Sequence, residues 1–92
     1  MSKFQVVSVT ELKEMLERRN LWSRMHSGKF LAVERNRAAA SKAAGGTSYI
    51  ISYYDNHLQY VCTIHKIEDN NDHVIHEHVK DAYINGVRYK GQ

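Results

Sequence analysis

Proline is absent from this 92-residue chain and cysteine occurs once. The lone Cys62 lies in "LQYVCTIHKI", so no disulfide can close within the chain and no thiolate cluster is available to a metal. No run approaches the roughly 18 apolar residues of a membrane-spanning helix, and the opening "MSKFQVVSVTELKEML" has neither the basic region nor the apolar core of a secretory signal. These absences predict a cytosolic protein. No Ser/His/Asp, Cys/His or paired-carboxylate arrangement stands out, and "AAGGTS" lacks the lysine of a phosphate-binding P-loop. Repeats and low-complexity linkers are missing too, which predicts a single domain over residues 1–92.

What is present is ordinary in bulk, with 42% hydrophobic and 25% charged residues, the proportions of a folded domain. A chain this short buries only about two-thirds of its unfolded surface, which favours a flat working surface over a deep pocket. The net charge of +3 hides a division. Residues 1–46 carry nine lysines and arginines against four acids, and residues 47–92 carry four against six. A first half that presents one face would attract phosphate or an acidic protein surface.

"FQVVSV", Phe4 to Val9, reads as a β-branched strand, and Ser8 with Glu11 has capping-box spacing for a following helix. Leu12, Met15 and Leu16 form its apolar stripe, Glu14 and Arg18 form an i,i+4 pair, and Asn20 is a plausible stop. "LWSRMHSG" has no clean period, but Leu21, Trp22 and Met25 are placed to fold onto the core before Gly28 turns the chain. "KFLAVER" is a brief strand or a helix lead-in. "ERNRAAASKAAGG", residues 34–46, contains strong helix formers ended by two glycines, and either a short helix or a loop fits it. From Thr47 the chain turns to strand: "TSYIISYY" and "LQYVCTIHKI" around the turn "DNH", then "HVIHEHV" after "EDNND". "AYINGVRY" follows with the hairpin signal Asn85-Gly86. The first two of these are expected at the sheet's centre. The fold predicted is α+β, an antiparallel sheet of about four to five strands with one or two helices packed on one face. Six tyrosines, Tyr49, Tyr53, Tyr54, Tyr60, Tyr83 and Tyr89, fall in the strands and suit a half-exposed surface.

Three sets of residues invite chemistry. His76 and His78 share a strand face, with His73 nearby and His65 on the neighbouring strand; yet Val74 rather than a histidine completes that face, so no metal site is expected. His65, Lys66, Arg88 and Tyr89 would equip a small ribonuclease if a sheet face brought them together. The basic stretch offers Arg35, Asn36, Arg37 and Lys42, extended by Arg24 and Lys29, as a partner-binding patch whose arginines grip phosphate or carboxylate with two bonds.

Taken along its whole length, the chain resembles small phage-encoded anti-CRISPR proteins of the group that inhibits the type I-F Csy surveillance complex. The residues that carry the likeness are "MSKFQVVSVTELKEMLERRN", the basic middle and "GTSYIISYYDNHLQYVCTIHKI". The resemblance implies a non-enzymatic inhibitor acting in the cytoplasm of the bacterial host. It would bind Cas subunits of the crRNA-guided complex, with the crRNA itself as a further contact, and block target DNA recognition or hybridisation. No cofactor, membrane or small-molecule substrate is implied. The net charge of +3 favours steric blocking with cationic contacts over imitation of DNA. The alternative expectation is a small basic RNA-binding protein or ribonuclease toxin of a mobile element.

Overall fold

The computed structural model describes residues 4–41 and 43–92. The chain runs β1 (Phe4–Val7), α1 (Val9–Arg18), α2 (Leu21–His26), β2 (Leu31–Ala39), β3 (Thr47–Tyr54), β4 (Tyr60–Glu68), β5 (Val74–Ile84) and β6 (Val87–Gly91). All six strands join one sheet in the order β1-β6-β5-β4-β3-β2. The architecture is α+β as expected, with two differences. The sheet is mixed, because β1 pairs with β6 in parallel, and it has a sixth strand in β2, which includes part of the stretch expected to be helix or loop. Consequently β4 and β5 are central, and β3 lies one place from the edge.

The helix start is built as the sequence implies, since Ser8 caps α1 by accepting a 3.0 Å hydrogen bond from the Glu11 N–H. Leu12 and Leu16 fall one turn apart and are buried, which is what an amphipathic helix on a sheet requires. Asn20 adopts a left-handed conformation that ends α1 and leads directly into α2, and Ser23 donates to its side-chain oxygen at 2.6 Å. No described helix is long and apolar enough to cross a membrane.

Helix α1 lies across β5 and β6 and against α2. The core between helices and sheet contains Leu12, Leu16, Met25, Phe30, Cys62, Ile64, Val79, Ala82 and Ile84. Trp22 and Leu21 pack against it, so the aperiodic "LWSRMH" is a short helix that closes one end of the core. His26 Nε2 ties α2 to the sheet, 3.2 Å from a Glu77 oxygen on β5. Burial pushes the Cys62 thiol up to about 12, and its Sγ rests 3.7 Å from the Met25 sulfur. The native protein should therefore be inert to a thiol reagent at pH 8, with full reaction only in denaturant; rapid modification of the folded protein would show that Cys62 is accessible.

Two loops share one construction. In residues 55–59 the Asp55 carboxylate accepts from the N–H groups of His57 and Gln59, and Leu58 is left-handed. In residues 69–73 the Asp69 carboxylate accepts from Asn71 and His73, and Asp72 takes the left-handed place. These backbone donors hold both carboxyls below the usual range. Their contribution to stability is present above the ordinary carboxylate pKa and fades as pH falls through the lowered folded value. The last hairpin uses the expected Asn85-Gly86 turn, with both residues at positive φ.

Register shifts give the sheet its shape. An extra residue stands in β2 at Arg35, in β4 at Val61, and in β5 at both Ile75 and Lys80. Each such bulge reverses the alternation of side chains beyond it, which decides what each face of the sheet presents.

Candidate partner-binding face

The helices cover one face of the sheet, and no described element covers the other. Side chains that alternate away from the core on β3 and β4 are Ser48, Ile50, Ser52 and Tyr54, then Thr63, His65 and Ile67. On β5 and β6 they are His76, His78, Asp81, Tyr83, Arg88 and Lys90, with Phe4 and Val6 from β1 at the edge. Phe4, Val6, Leu31, Ile75 and Tyr83 are about half exposed here, and Lys90 Nζ sits 5.2 Å above the Phe4 ring. Cations thus lie among aromatic and aliphatic side chains on a broad surface.

An open hollow of about 440 Å³ on this face is lined by Arg35, Ile50, Ser52, Tyr54, Tyr60, Thr63, Asp81 and Arg88. Its floor is a directed chain of hydrogen bonds. The Asp81 carboxylate only accepts, so Tyr60 gives it the phenolic proton. Tyr60 must then accept from Thr63, and Thr63 in turn from Ser52 at 2.8 Å, so Tyr60 and Thr63 each donate once and accept once and Ser52 begins the row as a donor. Burial, followed by this bond to Asp81, pushes the Tyr60 phenol well above its ordinary pKa. Tyr60 is therefore a fixed donor rather than a base. Arg88 reaches within 3.7 Å of the other Asp81 oxygen, leaving its outer edge to solvent.

The residues expected to form one basic patch are divided. Arg35 occupies the β2 bulge and lines the hollow, and Asn36, opposite Ile50, points to the same face. Arg37 is opposite Tyr49 and faces the other side, where it lies 5.1 Å over the Tyr49 ring and bonds Glu34 at 2.8 Å. Arg24 is on α2, 5.0 Å above Phe30, and exposed Lys29 follows the Gly28 turn. Lys42 lies outside the described residues. The fold instead places Arg35 of β2 and Arg88 of β6 around the same hollow.

The four residues considered for a ribonuclease do not meet. His65 and Arg88 are on the open face, whereas Lys66 pairs with Glu68 at 3.0 Å on the helix side and Tyr89 packs against the core. The histidines behave differently. Val74 does not continue the face of His76 and His78, because the bulge at Ile75 intervenes. The third imidazole is His65, directly across from His78 in the ladder, and the three offer nitrogens within 4.8 Å of one another. Burial, and then the neighbouring imidazoles and the Lys80 ammonium, hold His65 and His78 below the ordinary imidazole pKa.

Comparison with protein-family models, curated proteins and solved structures finds no match to this chain.

Proposed function

We propose that the protein is a non-enzymatic inhibitor that binds the type I-F Csy complex and blocks target DNA recognition or hybridisation, using the helix-free face of its sheet. The observation that carries this reading is the composition of that face: Arg35, Arg88 and Lys90 stand among Tyr54, Tyr83, Phe4 and Ile50. Arginines of this kind make bidentate contacts to phosphate or carboxylate, and half-exposed aromatics supply contact area at little entropic cost. A positively charged, aromatic surface suits a ribonucleoprotein, where acidic protein patches and guide-RNA phosphates lie side by side. The Csy complex as the specific partner rests on the whole-chain resemblance.

The test is a pull-down with purified Csy complex, followed by a gel-shift assay of its target DNA. The wild-type protein is expected to co-purify with the complex and abolish DNA binding. Arg35→Glu combined with Arg88→Glu should weaken association at least tenfold at unchanged melting temperature, because both side chains are solvent-exposed. Arg37→Glu, on the other side of the sheet, should leave association nearly intact. Failure to capture any Csy subunit, with DNA binding unchanged, would overturn the proposal. The same aromatic and cationic face is also suited to single-stranded RNA, so tight binding to free RNA without Csy would favour the RNA-binding alternative.

A further inference from the structure

We propose that His65, His76 and His78 form a binding site for one late first-row divalent metal ion, zinc being the natural occupant, with an open fourth position. The three rings come from the paired central strands β4 and β5, so rigid backbone rather than a loop holds them. They meet edge to face, with centroids 5.7, 5.1 and 4.9 Å apart. The hydrogen bonds of the described residues engage one nitrogen of each ring. One proton joins His76 Nε2 and His78 Nδ1 across 2.7 Å, and the group that converges contains no carboxylate among the described residues. A metal ion satisfies what a shared proton cannot, since it takes a lone pair from each ring at once.

The distances are compatible with this. Tetrahedral zinc with Zn–N bonds of about 2.0–2.1 Å places its ligand nitrogens about 3.3 Å from each other. The three nitrogens already lie within 4.8 Å of one another, so small rotations about the side-chain torsions suffice. The Ser48 hydroxyl, 2.8 Å from His65 Nε2, holds the third ring by one nitrogen and leaves the other for an ion, as supporting hydrogen bonds do in established metal sites. The cluster opens into a hollow of about 650 Å³ whose walls include Ile67, Ile75 and the alanines of β2. A bound ion would therefore keep one coordination position for water or a donor from solution, the arrangement of three protein ligands plus one exchangeable ligand. All-nitrogen ligation selects zinc, copper or nickel over magnesium or calcium.

The proposal does not depend on Csy binding and is tested without it. Untagged full-length protein, stripped with chelator, is titrated with zinc chloride by calorimetry and with cobalt(II) by visible absorption. The expected result is one ion per chain with micromolar or tighter affinity and a cobalt spectrum of tetrahedral intensity. His76→Gln and His78→Gln should each weaken binding at least tenfold while retaining the wild-type circular dichroism spectrum and melting temperature. His65→Gln should behave alike, and if it fails to fold the other two variants carry the test. Absence of one-to-one binding in this range, or unchanged affinity in His76→Gln and His78→Gln, would overturn the proposal. Unchanged affinity would transfer any bound metal to His26, His57 or His73.

Discussion

Ile64→Ala is expected to destabilise the protein by about 2–5 kcal/mol. Ile64 is 1% exposed and sits on central β4 between Ile51 of β3 and Val79 of β5, on the face that meets the helices. Three rigid elements surround the space that its removal would leave, so collapse is limited and both the transfer and the cavity contributions apply. A domain of this size has a total stability on the order of 5–15 kcal/mol, and each kcal/mol lowers the melting temperature by about 4–8 °C. Urea titration should show an earlier midpoint with an unchanged slope. A change under 1 kcal/mol would mean that this part of the core repacks. Leu31→Ala, at a position 53% exposed, is the control and should stay within about 0.5–1 kcal/mol.

Gly46→Ala is expected to cost about 1–3 kcal/mol or more, although it adds a single methyl group. A Cβ at Gly46 would lie 2.4 Å from the Glu68 carbonyl oxygen and 3.0 Å from the Ala43 side chain. The backbone cannot step aside, because the Gly46 N–H donates to Ala43 at 2.8 Å and its carbonyl accepts from Ala40 at 3.1 Å. Relief must come from the end of β4 or from the turn between β2 and β3. Gly28→Ala supplies the contrast: nothing lies within 4 Å of its Cβ position, so its cost is limited to the positive φ, about 1–2 kcal/mol. Thermal melts of the two variants should separate crowding from backbone conformation, and equal losses would show that the strands accommodate the methyl group at Gly46.

Some of this was legible in the sequence because the signals were local. Ser8, Glu11, Leu12 and Leu16 specify α1 within three turns, and Asn85-Gly86 specifies its hairpin in two residues. Strand β2 was legible only in part: "KFLAVER" left its first half open between strand and helix, and the arginines and alanines of its second half favour helix when considered alone. It is a strand because β3 offers an unpaired edge, a tertiary effect that outweighs propensity. The candidate face failed to appear for a related reason. Arg35 and Arg37 are two apart and would share a side of any regular strand, but the bulge at Arg35 sends them to opposite sides. The same parity change at Ile75 removes Val74 from the histidine row, and only the β4–β5 register supplies His65. Spacing within one segment says nothing about where a partner strand inserts its extra residue.

The parallel pairing of β1 with β6 has a consequence for the order of assembly. Strand β1 is four residues long, lies at the edge of the sheet and has its backbone partners at the opposite end of the chain. Gln92 closes the arrangement by donating to Val7 and accepting from Val9, at 2.8 and 3.3 Å. Contacts this distant in sequence form late, after the local hairpins have gathered the chain. On the ribosome, the β2–β5 meander is therefore positioned to fold while β1 and the entry to α1 wait for the last strand to emerge. The core under α1 is sealed by β1 and β6 together, and the open face exists in part before that seal is made.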